Sequence, residues 1–116
     1  MSEQNCLFCK IVAGAIPAEK VYEDDGTIAF RDINPQAPVH VLVIPRAHIA
    51  SLDDAADADG AKLGRLMLAA ARVARQEGLS ESGYRTVVNT GAGAGQSVFH
   101  IHAHVIGGRT LAWPPG

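Results

Sequence analysis

The histidines at positions 100, 102 and 104 constrain this chain more than any other feature. They alternate with Ile101, Ala103 and Val105 in the run HIHAHVI. That is the period of a strand, in which side chains at i, i+2 and i+4 share one face. At about 3.3–3.4 Å per residue, the outer two imidazoles of such a strand stand roughly 13 Å apart. His40 is the one polar intruder in a second strand-like run, VHVLVI at residues 39–44. Imidazoles grouped this way are costly to bury unless each finds a partner for its donor and its acceptor. Three readings follow. The rings face solvent or are satisfied in a core; or two of them, at i and i+2, chelate a metal that the third is too distant to share; or one acts as a nucleophile. Imidazole is competent towards phosphorus, and a reference pKa of about 6.5 leaves it mostly neutral near pH 7.

Just before these histidines stands Gly91-Ala92-Gly93-Ala94-Gly95-Gln96-Ser97, too glycine-rich for helix or strand. Glycines let backbone N–H groups turn towards an anion without a Cβ in the way. No Gly-Lys-Ser/Thr follows, so this is not a P-loop, and it is equally poor as a dinucleotide fingerprint.

The rest of the chain supplies a frame. Leu7, Phe8, Ile11 and Val12 are at helical spacing, predicting a short helix over 6–13 that Gly14 ends and Pro17 cannot extend. Runs 19–23 and 27–32 flank Asp24-Asp25-Gly26, a hairpin signal. Asn34-Pro35-Gln36-Ala37-Pro38 reads as a loop. A long helix over 56–77 is expected, capped by Asp53 or Asp54, closed by Gly78, and buried along Leu63, Leu66, Met67, Ala70, Val73 and Ala74. Runs 84–89 and 100–106 predict two further strands, and residues 111–116, with a Trp and two prolines, an extended tail. The order α-β-β-β-α-β-β predicts an α+β fold with a largely antiparallel sheet of five strands, one short helix and one long one.

At 116 residues the chain is the size of a single domain, large enough to fold without metal or disulfides. A net charge of −2 with no basic run argues against a nucleic-acid binder, which neutralises phosphates with a basic stripe. With no positively charged leader and no apolar run approaching a membrane span, the sequence reads as a soluble, cytoplasmic protein. Cys6 and Cys9 form a C-x-x-C. The pattern leaves three readings open: two inert buried thiols, a redox pair lacking the usual strand-to-helix context, or half of a zinc site awaiting two more ligands, with His48 and His100 as candidates.

His100-Ile101-His102-Ala103-His104-Val105-Ile106 resembles the H-φ-H-φ-H-φ-φ signature of the histidine-triad (HIT) family, with Ala103 a small choice for an apolar slot. The resemblance continues through Arg31-Asp32-Ile33-Asn34-Pro35-Gln36-Ala37-Pro38, His40, Val43-Ile44-Pro45-Arg46-Ala47-His48-Ile49, Val87-Val88-Asn89 and Gly95-Gln96-Ser97-Val98. It ends on Gly107-Gly108-Arg109 and Trp113-Pro114-Pro115-Gly116, so it covers nearly the whole chain as one histidine-triad domain. These stretches are similar to the histidine triad nucleotide-binding branch, and the resemblance implies a homodimeric purine nucleoside phosphoramidase. It implies that His102 attacks the α-phosphorus and forms a nucleotidyl-histidine. His40 would orient the nucleophile and His104 would hold a non-bridging oxygen. Asp32 would take the ribose hydroxyls, with Ile33 beside the base. Asn89, Gly95, Gln96 and Ser97 would line the phosphate, Ser97 also reaching the leaving nitrogen. No catalytic metal is implied. Some bacterial relatives resemble this chain in the C-x-x-C, which implies a structural zinc held tetrahedrally by Cys6, Cys9, His48 and His100. Two other functions stand beside this one: a nucleotide-binding regulatory module without turnover, and a dinucleoside polyphosphate hydrolase.

Overall fold

The computed structural model describes residues 5–116. Helix α1 (Leu7–Val12) leads into a hairpin of β1 (Lys20–Glu23) and β2 (Thr27–Arg31), then β3 (Val39–Pro45). A single 3-10 turn (Asp57–Asp59) opens the long helix α2 (Gly60–Gln76). Strand β4 (Tyr84–Val87), a second 3-10 turn (Ala92–Ala94) and β5 (Ala103–Gly107) complete the fold. The five strands form one sheet in the order β1-β2-β3-β5-β4, every neighbouring pair antiparallel. This is the expected α+β architecture.

Asp24 builds the first hairpin. Its carboxylate accepts from the backbone N–H of Gly26 and Thr27, the Thr27 hydroxyl and the Tyr22 hydroxyl. Burial pushes its pKa up, but these bonds outweigh it and hold the group at about 2.

Alternation in the central strands sends each side chain to one of two cores. Ala29, Val41, Val43, Ala103 and Val105 meet Leu66, Ala69, Ala70, Val73 and Ala74 of α2. Ile28, Phe30, Leu42 and Ile44 point the other way and meet Cys6, Phe8 and Ile11 of the α1 segment. Small residues on α2 let its backbone lie close to the sheet. Gly107 shows how close the packing runs: a Cβ there would stand 2.8 Å from a Leu79 methyl. Neither helix is long and apolar enough to cross a membrane.

Four local expectations need correction. Asp53 and Asp54 do not cap α2. Asp54 instead closes a turn with Ser51, and the Asp59 carboxylate takes the Ala56 N–H where the 3-10 turn begins. The buried stripe of α2 includes Ala69, while Met67 is exposed and Leu63 only half-buried, because alanines fill the closest approach to the sheet. The glycine-rich segment holds a 3-10 turn bounded by Gly91 and Gly95, whose φ values of 85° and 95° suit glycine. Finally, β5 begins only at Ala103. His100 and His102 precede it in an extended segment whose Ile101 N–H bonds the Ile49 carbonyl rather than a neighbouring strand.

Candidate active site and metal-binding cluster

Residues 40, 102 and 104 lie on the α1 side of the sheet, and their rings interlock. The His102 and His104 centroids are 5.0 Å apart, and those of His40 and His104 5.2 Å. The Gln36 backbone N–H donates to His40 Nδ1 at 3.0 Å, so the neutral His40 ring carries its proton on Nε2. That proton faces His104 Nδ1 at 2.9 Å and Asp32 Oδ2 at 3.3 Å. His104 therefore accepts at Nδ1 and keeps its own proton on Nε2. His102 donates from Nδ1 to the His100 carbonyl at 2.8 Å, which leaves a bare lone pair on Nε2. The hydrogen-bond chain thus selects one tautomer for each ring.

Burial lowers the pKa of both inner rings. For His102, desolvation outweighs the opposing pull of the His100 carbonyl and Asp32. For His104, burial and then the neighbouring His102 and His40 bring the value down to about 4, against Asp32. Both shifts favour the neutral ring at pH 7.

A cleft of about 250 Å³ adjoins the histidines, walled by α1 residues Leu7, Phe8 and Ile11, by Ile16, and by Phe30 and Leu42 of the sheet. Phe8 links cleft and histidines, meeting the His102 ring edge-on at 5.1 Å and His100 at 5.9 Å. Asp32 and Ile33 stand at the cleft mouth, Ile33 fully exposed. An apolar side chain left bare beside an apolar cleft fits a surface completed by a ligand.

Two expected roles change. The His40 ring bonds His104 rather than His102, so the His100 carbonyl orients His102 while His40 fixes His104. Gln96 does not offer its side chain to a ligand. Its amide donates to the Ala50 and Val98 carbonyls, its Oε1 accepts from Gly91 N–H, and its own N–H bonds the Gly91 carbonyl. It braces the loop from inside, 3% exposed. Asn89 reaches the same loop, its amide 3.9 Å from where a Cβ on Gly95 would stand, and Ser97 is exposed at the loop's exit. Sequence reasoning did not assign Phe8, Phe30 and Leu42 to a site, because their spacing reads equally as core. The Gln36 N–H is a backbone group with no sequence signal.

Cys6, Cys9, His48 and His100 converge on the other side of Phe8. Cys6 Sγ lies 3.4 Å from His100 Nδ1, Cys9 Sγ 3.3 Å from His48 Nδ1 and 3.5 Å from His100 Nδ1, and the two Nδ1 atoms are 3.3 Å apart. Around a tetrahedral zinc with Zn–S near 2.3 Å and Zn–N near 2.0–2.1 Å, neighbouring donors stand about 3.3–3.8 Å apart. The His100 Nε2–H donates to the Pro45 carbonyl at 2.7 Å, leaving Nδ1 bare for a metal and fixing the ring as second-layer carbonyls do in metal sites. Cys9 N–H donates to Cys6 Sγ. The sulfurs are not joined in a disulfide. The donor set fits a metal closely.

Asp32, His40 and His104 also bring three donor atoms within 4.8 Å of one another. A metal there would need His40 Nε2 bare, moving its proton to Nδ1 against the Gln36 N–H. That cluster belongs to the hydrogen-bond chain, not to an ion.

An antiparallel sheet of five strands with interlocked histidines beside an apolar cleft defines a histidine-triad protein. The sequence pattern of the HIT domain matches residues 13–111, most of the chain. An uncharacterized HIT-like protein of Synechococcus elongatus is 57% identical over 116 residues, all of both chains. A HIT family hydrolase from Legionella pneumophila superposes with a TM-score of 0.94 at 54% identity, over 97% of this chain and 100% of that one. A histidine triad nucleotide-binding protein from Candida albicans does so at 0.81 and 34% identity, over 95% and 83%. The chain belongs to the HIT family.

Proposed function

We propose that the protein is a hydrolase that cleaves the P–N bond of purine nucleoside 5′-phosphoramidates through a nucleotidyl-histidine on His102. The observation that carries this reading is the tautomer of His102, whose Nδ1–H is spent on the His100 carbonyl so that Nε2 keeps a lone pair, on a ring that meets Phe8 of the cleft wall. The cleft takes the purine between Phe8, Phe30 and Leu42, and Ile33 covers it. Asp32 accepts from the ribose hydroxyls; each oxygen retains a lone pair beyond its contacts with Asn34 N–H and His40.

His102 Nε2 then forms a bond to the α-phosphorus as the P–N bond breaks. The nitrogen, which accepts a hydrogen bond from the Ser97 hydroxyl, takes up a proton from solvent and leaves as the amine. His104 Nε2–H holds a non-bridging oxygen, and the glycine turn with Asn89 offers further donors to the phosphate. Water next attacks the phosphorus, breaking the His102–P bond and releasing the nucleoside monophosphate. Cys6, Cys9, His48 and His100 would hold a zinc ion; it would supply cross-linking and no chemistry, since His100 Nδ1 faces the cysteine sulfurs.

A homodimer fits the same reading. Strand β4 ends the sheet with an open edge, and Leu52, Met67, Leu68 and Trp113 are all exposed. Trp113 is 82% exposed on its own chain, so the tail finds cover only on a second surface. Hydrolysis of adenosine 5′-phosphoramidate, measured beside diadenosine triphosphate, tests the substrate class. Preferred turnover of the phosphoramidate is the expected result. Preference for the dinucleotide would make the protein a polyphosphate hydrolase, and binding of both without turnover a regulatory module.

A further inference from the structure

Helix α1 looks two ways. Cys6, its N-terminal cap, and Cys9 turn their sulfurs to His48 and His100, while Leu7, Phe8 and Ile11 wall the apolar cleft. A helix of six residues has no independent stability, so its position is set by what fastens it. One fastening is apolar packing on Phe30 and Leu42, the residues that form the far side of the cleft. The other is the four-donor cluster.

His100 carries the link one step further. Its ring belongs to the cluster, and its carbonyl holds His102. Phe8 touches both rings edge-on. A displacement of α1 therefore moves the cleft wall and loosens the contacts that aim His102.

We infer that a metal held by Cys6, Cys9, His48 and His100 locks α1 in place and so raises affinity for the nucleotide, making metal and nucleotide binding cooperative. The inference rests on the proposed readings of both sites. The metal holds one wall of the cleft, and the nucleotide bridges that wall to the sheet. Each ligand thereby meets part of the ordering cost of the other. The coupling is reciprocal at equilibrium: the factor by which the metal strengthens nucleotide binding is the factor by which nucleotide strengthens metal binding. Cys9 and His48 are positioning residues in this scheme, acting on the cleft only through α1.

The test uses the zinc-loaded protein. Its zinc affinity is measured by equilibrium competition with a coloured chelator, with and without saturating AMP, which needs no metal-free form to stay folded. AMP binding is then measured by calorimetry on the zinc-loaded parent and on Cys9→Ser. We expect AMP to tighten zinc by about ten-fold and Cys9→Ser to weaken AMP by a similar factor, within the usual range of coupling between sites. Zinc affinity unmoved by AMP, in a protein that binds both, would overturn the inference and leave the readings of the two sites intact. A protein that takes up no zinc, or no AMP, would remove the underlying reading and the inference with it.

Discussion

On one face of the sheet, the 17 residues of α2 lay Leu66, Val73 and three alanines against Ala29, Val41, Val43, Ala103 and Val105. On the other face, a six-residue helix covers the same strands, and the space it leaves is filled by five histidines, two cysteines and an open cleft. One strand serves both faces: Val41 and Val43 pack under α2, while Leu42 lines the cleft and His40 lies on the same face as Leu42. Close packing of small apolar groups needs no partners and gives stability. Buried imidazoles need a partner for every donor and acceptor, and those partners also fix tautomers. The first face holds the sheet rigid, and the second uses that rigidity to aim side chains.

This division can be broken by substitution. Leu66→Ala, in the closed face, should cost about 2–5 kcal/mol of stability. Denaturant unfolding and AMP calorimetry on the folded variant together check that the loss leaves AMP affinity within about two-fold; a large fall in affinity would erase the distinction. Acid should act on the opposite face. His104 is held at about 4 against an ordinary value near 6.5, with His40, His102 and Asp32 facing it. The unfolded chain takes up this proton first, so the His104 contribution to stability is complete above about pH 6.5 and is lost as pH falls towards 4. The melting temperature should drop across that window, and less steeply for His104→Gln. Equal slopes would place the acid sensitivity elsewhere.

Smaller effects sharpen the picture. Ile33 is fully exposed, so Ile33→Ser should leave the melting temperature alone while weakening AMP by about 1 kcal/mol, roughly five-fold. Arg31 ties the sheet to the end of α2, its guanidinium meeting both Glu77 oxygens at 2.8 and 3.2 Å and Glu19 at 3.0 Å. With the Arg31 side chain 38% exposed, solvent screening leaves about 1 kcal/mol or less for Arg31→Gln, read by denaturant unfolding.

Much of this was legible in the sequence, for physical reasons. Strand alternation and the Asp-Gly turn are local, and β1, β2 and β3 fall where they were expected. The helix stripe slid onto Ala69 because burial on α2 follows closeness to the sheet, which favours alanine over methionine. The strand that carries His104 starts late because Ile101 is claimed by Ile49, a tertiary contact that no period reveals. The metal cluster joins residues 94 positions apart, beyond any spacing rule; the C-x-x-C left it as one of three readings, and the resemblance to other histidine-triad proteins implied the full set. The resemblance implied Gln96 as a phosphate neighbour, and no sequence pattern shows that its buried side chain also braces the loop.

The central claim is that His102 is the nucleophile. AMP release from adenosine 5′-phosphoramidate, followed by chromatography for the parent and for His102→Ala, tests it most directly. Loss of a covalent nucleophile should slow release by at least about a thousand-fold while AMP binding measured by calorimetry persists. Release by the variant within about ten-fold of the parent would contradict the account and place the chemistry on another residue.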